Sequence, residues 1–280
     1  MKLLRSIHKA TISTLTLPPH HTTNSYLVGG DGEAVLIDPI YRPGNDLDAC
    51  LQENHVRRIR YAAVTHPHPD HHGGIDCLLE RHGGTLLCHR ETAEPLAFGV
   101  PDAARVHRCA GGESLAAGPH TLQVLHTPGH APAHLCFYIA AEGILFSGDT
   151  ILGRGTSIIS PPEGDMADYM ATLHTLAALD IRMICPAHGP VIAEGAQERI
   201  HWYINHRMMR EDRVLEALKE GLSSISRITR RIYDEADFRM HGYDLQPRAE
   251  RSVLAHLEKL EKEGSVVRKS HVDGTRFHLV

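Results

Sequence analysis

The sequence predicts an α/β layered domain, and two observations support this fold class. Short apolar runs typical of strands alternate with stretches of helical spacing over roughly residues 10–200. Four stretches rich in histidine and aspartate each follow directly on one of these apolar runs. Because strands of one sheet can end at a common edge, the four stretches can meet there. The pattern therefore predicts a site for metal or proton chemistry at strand ends.

The first elements are strands followed by a β-α-β step. Alternating and apolar runs predict three strands, at residues 10–17, 24–28 and 34–39. Leu47, Cys50 and Leu51 then lie at helical spacing within residues 45–54. A short buried strand at residues 60–64 leads into the first polar stretch.

The chain is organised around that polar stretch, residues 65–74. Five of its ten residues can bind a metal or transfer a proton: His66, His68, Asp70, His71 and His72. Pro67 and Pro69 exclude a regular helix, so a loop must present His66 and His68 together. Imidazole nitrogens and a carboxylate at this density suit zinc or a similar divalent ion. An exposed histidine-rich turn is the alternative, and the later polar stretches argue against it.

Three later residues supply further ligands at strand ends. His130, Asp149 and His188 each come just after an apolar run. The intervening elements are predicted as a helix near residues 75–79, a longer helix at about 166–179, and strands at 85–88, 122–125, 136–140, 144–146 and 181–184. All the candidate ligands are therefore expected at strand ends.

The order of these residues resembles the metallo-β-lactamase superfamily over roughly residues 10–200. The pattern is His-x-His-x-Asp-His, followed by a histidine, an aspartate and a last histidine. The resemblance implies a four-layer αββα sandwich and two divalent metal ions, with zinc expected first and manganese or iron as alternatives. It implies a full set of ligands: His66, His68 and His130 on one metal, Asp70, His71 and His188 on the second, and Asp149 bridging both.

The same resemblance implies the catalytic roles. A hydroxide shared by the two ions is the expected nucleophile. Asp70 is a catalytic candidate that orients the hydroxide and receives a proton as the intermediate collapses. His134 is the second catalytic candidate. It could orient a metal ligand, donate a hydrogen bond to an oxyanion, or have only a structural role. Asp38 either supports the ligands or caps a turn.

The pattern changes near residue 200. Helices are predicted at residues 194–221, 224–233 and 247–263, and a hairpin at residues 265–280. Helices followed by a terminal hairpin predict a winged helix, so the chain divides into a catalytic domain, residues 1–200, and a C-terminal domain, residues 201–280. This arrangement resembles the β-lactamase-like protein 2 family, known from a mitochondrial endoribonuclease of animals and from fungal polyketide thioesterases.

Charge and cysteine content restrict the function. Residues 1–199 contain 14 Lys and Arg against 21 Asp and Glu, so the catalytic part does not suit polyanions in general. The candidate recognition helix has balanced charge, so packing, homodimer formation or substrate enclosure is expected of the winged helix ahead of DNA binding. The 6 cysteines lack CxxC spacing and no membrane span is predicted, which indicates reduced thiols and a cytoplasmic protein.

Three functions are compatible with these features. A zinc-dependent hydrolase of an ester, thioester or lactone needs only an open pocket for a small acyl substrate. A single-stranded RNA endoribonuclease is the alternative that the relatives imply, although no basic track for RNA is evident. A winged-helix DNA-binding regulator with a degenerate hydrolase domain is the third, and the complete ligand set argues against it. A β-lactamase is not expected, because enzymes of that activity typically lack a bridging aspartate such as Asp149.

Overall fold

The computed structural model describes residues 1–16, 20–30, 32–93, 96, 105–234, 239–240, 243–272 and 274–280. Two compact units alternate along the chain. The first comprises Met1–Thr127, Ala133–Thr156 and Leu179–Gln197, and the second comprises Pro128–Pro132, Ser157–Ala178 and Glu198–Val280. Because each unit is built from several segments, the predicted domain boundary at residue 200 stays a prediction.

Two mixed sheets and two helices form the first unit within the described residues. The first sheet contains, in spatial order, β1 (Lys2–Leu4), β2 (Ile7–Ser13), β3 (Thr22–Gly30), β4 (Glu33–Ile37), β5 (Arg58–Ala63), β6 (Thr85–His89) and β7 (Val106–Cys109). The second contains β8 (Ser114–Ala117), β9 (His120–His126), β10 (Leu135–Ile139), β11 (Ile144–Gly148) and β12 (Met183–Pro186). The helices are α1 (Asp46–Glu53) and α2 (Ile75–His82).

The two sheets share one hydrophobic core. Val35 and Leu87 of the first sheet belong to the same buried cluster as Phe137 of the second. A second cluster covers the other face of the first sheet, where α1 and α2 contribute Leu47 and Leu78. Strands that are buried on both faces need continuous apolar runs, which is why β4 lacks a polar alternation. The predicted α/β layered class is confirmed.

Parallel strand pairs bring the polar stretches to the strand ends. In the first sheet, β4 and β5 are parallel and end opposite each other, at Ile37 and Ala63. In the second sheet, β11 and β12 are parallel and end at the paired residues Gly148 and Pro186. Parallel strands have their carboxyl ends at the same edge, so the segments that follow each pair leave the sheet together. Within the first polar stretch, Pro69–His71 forms only a single 3-10 turn.

Some strand boundaries differ from the sequence prediction. The first long strand is Ile7–Ser13 rather than residues 10–17, and residue 17 of that prediction lies outside the described residues. The strands β7 and β8 were not predicted. Both lie at sheet edges and are only four residues long, so their sequences carry little of the alternation that marks a strand.

Helices and a terminal hairpin form most of the second unit. The elements are α3 (Met166–Ala177), α4 (Ala196–Lys219, in this unit from Glu198), α5 (Ile225–Ile232), the two-residue strands β13 (Arg239–Met240) and β14 (Tyr243–Asp244), α6 (Gln246–Lys262), β15 (Val266–His271) and β16 (Gly274–Leu279). One buried cluster joins Val214, Ile228, Val253, Leu257 and Phe277. Helices α4, α5 and α6 and the hairpin therefore pack on a common core.

The ends of α6 agree with its sequence. Pro247 lies in the first turn, where its missing N–H has no helical partner to lose. Gly264 follows the last turn with φ 76, a left-handed conformation that favours glycine. Asp273, in the predicted hairpin turn, lies outside the described residues.

The six cysteines are all free thiols, and five of them are buried. Burial raises the pKa of the Cys136 thiol to about 12. Such thiols are unreactive at neutral pH. Among the helices of the described part of the chain, none is both long enough and apolar enough to cross a membrane.

Replacement of Phe277 by alanine tests the hairpin packing. Phe277 is fully buried in the core of the second unit, so Phe277→Ala is expected to lower the free energy of unfolding by about 3–5 kcal/mol. Urea unfolding followed by circular dichroism measures this loss. Val272→Ala, at a fully exposed position of the same hairpin, should leave the transition unchanged. Equal losses from both substitutions would contradict the packing described here.

Candidate metal centre

A buried carboxylate fixes the start of the metal loop, residues 65–74. Asp38 follows β4 with φ 48 and is 1% exposed. Its Oδ1 accepts a hydrogen bond from the Thr65 N–H at 2.8 Å, and its Oδ2 lies 2.9 Å from both Thr65 Oγ1 and His71 Nδ1. Because His71 Nδ1 donates to this carboxylate, its Nε2 is the nitrogen that can bind a metal. Of the two roles left open for Asp38, these contacts favour support of the ligands.

His66 and His68 face each other in this loop. Thr65 Oγ1 lies 3.0 Å from His66 Nδ1, and His66 Nε2 lies 2.8 Å from His68 Nδ1. Since Thr65 Oγ1 donates to Asp38, it accepts from His66 Nδ1, and this directs His66 Nε2 toward His68. The loop therefore brings these two histidines together.

The first unit contains two groups of potential ligands in and around this loop. One consists of Asp70, His71 and His188, and the other of His66, His71 and Asp149; the ligand atoms of each group lie within 4.8 Å of one another. His188 Nε2 is 3.4 Å from Asp70 Oδ2 and 3.4 Å from Asp149 Oδ1. His71 Nε2 is 3.9 Å from Asp70 Oδ1 and 3.7 Å from Asp149 Oδ1. Both carboxylates therefore lie close to both imidazoles.

This arrangement fits a divalent metal ion. The Nε2 atoms of His71 and His188 are buried, and neither makes a hydrogen bond to the described residues. Their distances to the carboxylates resemble the spacing of roughly 3.3 Å between two ligand atoms that bind one tetrahedral zinc ion. Nitrogen and carboxylate donors at this spacing form the ligand set that zinc and similar ions require.

The carboxylates attract positive charge to the site. Burial alone lowers the pKa of His71, but the carboxylates of Asp38, Asp149 and Asp70 raise it to about 9. Burial also lowers the pKa of His188, and Asp149 and Asp70 outweigh it, so the pKa is raised. Burial raises the pKa of Asp70, yet His188, His71 and Thr16 hold it well below its usual range. Protons therefore compete with a metal for these imidazoles, and metal binding must release them.

His134 and a glycine hold Asp149 in place. Gly148 has φ 49, and a Cβ there would lie 2.6 Å from His134 Nε2, so the position requires glycine. The Asp149 N–H donates to His134 Nε2 at 3.1 Å, and His134 Nδ1 lies 2.9 Å from Thr127 Oγ1. His134 is fully buried, so both its ring nitrogens contact the protein interior. It orients the backbone that carries Asp149.

Strand β3 holds the segment that carries His188. His188 Nδ1 donates to the backbone oxygen of Thr22 at 2.8 Å, which turns Nε2 toward the carboxylates. The Asn24 side chain donates to the backbone oxygens of Pro186 and Gly189, at 2.9 and 2.8 Å. The His188 side chain and the backbone on both sides of it are therefore anchored to the same strand.

Sequence reasoning did not identify three of these orienting residues, Thr22, Asn24 and Thr65. The signals were weak: an asparagine in a buried strand, and a threonine that opens the metal loop. His72, which the resemblance leaves out of the ligand set, lies outside both groups, and its Nε2 is 3.1 Å from the backbone oxygen of Pro67.

His130 belongs to the second unit, in the segment Pro128–Pro132. Its Nδ1 donates to the backbone oxygen of Ile158 at 2.8 Å, so Nε2 is the nitrogen that can accept a metal. The prediction that His130 shares a metal with His66 and His68 joins residues of the two units and stays a prediction.

Comparisons with known proteins identify the family of the chain. The family model described as the metallo-beta-lactamase superfamily matches residues 19–188, and the one described as the beta-lactamase associated winged helix domain matches residues 224–275. The chain is 32% identical over 259 residues to a beta-lactamase-like protein 2 homolog of Caenorhabditis elegans, covering 90% of this chain and 82% of the relative. A homolog of the same name from Drosophila melanogaster is 32% identical over 264 residues, covering 87% and 84%.

A third relative and two solved structures extend the comparison. An atrochrysone carboxyl ACP thioesterase of Aspergillus fumigatus is 32% identical over 203 residues, covering 70% of this chain and 60% of that protein. A metallo-beta-lactamase family protein from Thermus thermophilus aligns over 100% of both chains with 24% identity and a TM-score of 0.76. A beta-lactamase domain protein from Burkholderia ambifaria aligns over 100% of this chain and 93% of its own with 22% identity and a TM-score of 0.81. These structures show the fold.

The resemblance drawn from the sequence is thus confirmed, both for the catalytic fold and for the winged helix. The chain belongs to the metallo-beta-lactamase superfamily and carries the winged-helix domain associated with it.

Proposed function

We propose that this protein is a hydrolase that uses two divalent metal ions, zinc foremost, to cleave an ester, thioester or lactone. The observation that carries the proposal is the pair of buried nitrogens, His71 Nε2 and His188 Nε2, that face the carboxylates of Asp70 and Asp149. Bound divalent ions lower the pKa of water from about 15.7 toward 7 and so supply a nucleophile at neutral pH.

Asp70 and His134 have different roles in this proposal. The lowered pKa of Asp70 keeps its carboxylate ionised, and a charged carboxylate is a strong hydrogen-bond acceptor, which suits orientation of the attacking water. As the intermediate collapses, Asp70 receives the remaining proton of the attacking water and passes it to the leaving group. His134 contacts the Asp149 backbone and the Thr127 side chain from a fully buried position, so we assign it a positioning role instead of oxyanion donation.

Two observations support a small acyl substrate over RNA. First, several cations of α6 and of the hairpin already have partners within the second unit: Arg251 with Ser160 and Pro161, Lys259 with Glu211, Lys262 with Asp165, and Arg268 with Glu258 and Glu261. Paired cations contribute little to phosphate binding. Second, one relative is named as a thioesterase that acts on a carrier-bound acyl group.

Metal content tests the binuclear assignment. The purified protein is expected to bind close to two equivalents of zinc, manganese or iron, because the family resemblance assigns three histidines to one ion and Asp70, His71 and His188 to the other. Asp149→Ala should lose both ions or bind them weakly, since we assign Asp149 as the bridge. Elemental analysis by mass spectrometry measures both outcomes. Full activity with a single bound equivalent would contradict the assignment.

Asp70→Asn tests the role of the carboxylate next to the nucleophile. The substitution keeps the size of the side chain but removes its charge, so kcat should fall by roughly 10²-fold or more while KM changes little. Steady-state kinetics on an acyl-thioester measures the effect.

His72→Ala is the matched control for Asp70→Asn, because His72 is in the same loop but outside the ligand groups. Its metal content and kcat should stay near those of the unchanged protein. If His72→Ala loses metal and His71→Ala does not, the ligands are displaced by one residue from those assigned here.

Parallel assays on acyl-thioesters, lactones and single-stranded RNA test the substrate class. Turnover is expected on an acyl compound, and it should be insensitive to the double substitution Lys269→Gln and Arg276→Gln in the hairpin. RNA cleavage that weakens with this double substitution and shows a reduced salt dependence, without acyl turnover, would support the endoribonuclease alternative and defeat the proposal.

A further inference from the structure

Helix α6 of the winged helix contacts residues 157–165, and these residues in turn contact His130. All of these contacts lie within the second unit. We propose that Arg251 and Lys262 are positioning residues for the metal ligand His130. The inference depends on the proposed function, because it takes His130 as a ligand. It assigns α6 a part in orienting one predicted metal ligand of its own unit.

The turn that carries His130 is fixed to the start of α3. The Thr172 hydroxyl donates to the Pro128 backbone oxygen at 2.7 Å, and the Asp165 N–H donates to the Gly129 backbone oxygen at 2.8 Å. A Cβ on Gly129, which has φ 133, would lie 2.4 Å from Tyr169 Cα, so the turn packs directly on the helix backbone. Any shift at the start of α3 is therefore passed to the residue before His130.

The ring of His130 is oriented by residues 157–165, the segment that leads into α3. Its Nδ1 lies 2.8 Å from the backbone oxygen of Ile158 and 3.5 Å from Ser157 Oγ. The buried guanidinium of Arg207, on α4, donates to the backbone oxygen of Ser157. The plane and tautomer of the His130 imidazole thus depend on where this segment lies.

Helix α6 contacts the same segment at two points. Arg251 donates to Ser160 Oγ at 3.3 Å and to the Pro161 backbone oxygen at 3.0 Å. Lys262 forms an ion pair with Asp165. Arg251 and Lys262 are eleven residues apart, about three helical turns, so both project from one face of α6 across roughly 16 Å.

Asp165 connects the two contacts from α6 to the turn that carries His130. Its Oδ1 caps α3 by accepting from the N–H groups of Ala167 and Asp168, at 2.8 and 3.1 Å, while its own N–H holds Gly129. Lys262 bonds the other oxygen of the same carboxylate. One side chain therefore links α6, the start of α3 and the turn before His130.

The contacts also argue against a nucleic-acid role for this face of α6. Arg251 and Lys262 would be natural phosphate contacts in a recognition helix, but both are bonded to the segment 157–165. Exposed ion pairs of this kind add little to global stability. Their value is therefore expected in local geometry, which metal affinity reports directly.

The test is zinc affinity of the full chain carrying the double substitution Arg251→Gln and Lys262→Gln. Competition with a chelator should show that one of the two equivalents binds about tenfold more weakly, because the orientation of a ligand is relaxed. With cobalt in place of zinc, the visible absorption of one site should change and that of the other should not. Lys262→Arg, which keeps the ion pair, should retain the affinity of the unchanged protein.

The matched control is Arg268→Gln with Lys269→Gln, which removes two charges from the adjoining hairpin without touching residues 157–165. It should leave both zinc affinities unchanged. Equal zinc affinities in the test and control variants would contradict the positioning role of Arg251 and Lys262. A loss of RNA or DNA binding by the test variant, with its zinc affinity intact, would contradict it as well. If the unchanged protein binds no zinc, the proposed function fails first, so the two failures are distinguishable.

Discussion

The hydrogen bonds to the Asp38 carboxylate determine how the residues of the candidate metal centre are arranged. The carboxylate joins the ends of two parallel strands by accepting hydrogen bonds from the backbone and side chain of Thr65. The same carboxylate accepts a hydrogen bond from His71 Nδ1 and, through Thr65, sets the orientation of His66. A buried charge costs much free energy unless it is fully bonded, so this network has one low-energy arrangement.

That arrangement concentrates negative charge around two imidazoles. Asp70 and Asp149 face His71 and His188, whose pKa values are raised, so the site attracts either protons or metal ions. The fold supplies the geometry, because parallel strands in each sheet end side by side. Hydrogen bonds between β3 and the segment that carries His188 hold this imidazole beside the carboxylates. The positions of the ligands thus follow from packing, and their chemistry follows from charge.

The sequence predicted the layered fold and the candidate ligands because both leave local signals. Apolar runs mark the buried strands, and histidines and aspartates directly after such runs mark strand ends. The contacts that orient the ligands were not predictable, since Asn24 meets Pro186 across 162 positions of the chain and only the folded sheet brings them together. The assembly of the second unit from separate segments leaves no local signal either. The contacts between Arg251 and Pro161 join distant segments, and no periodicity within either segment records them.

We propose two divalent metal ions at these residues. Crystals grown with zinc, measured with X-rays at the zinc absorption edge, test this proposal most directly. Two strong anomalous peaks are expected: one beside His66 and His68, and one among Asp70, His71 and His188, with the Asp149 carboxylate between them. A single peak, or zinc bound away from these side chains, would contradict it.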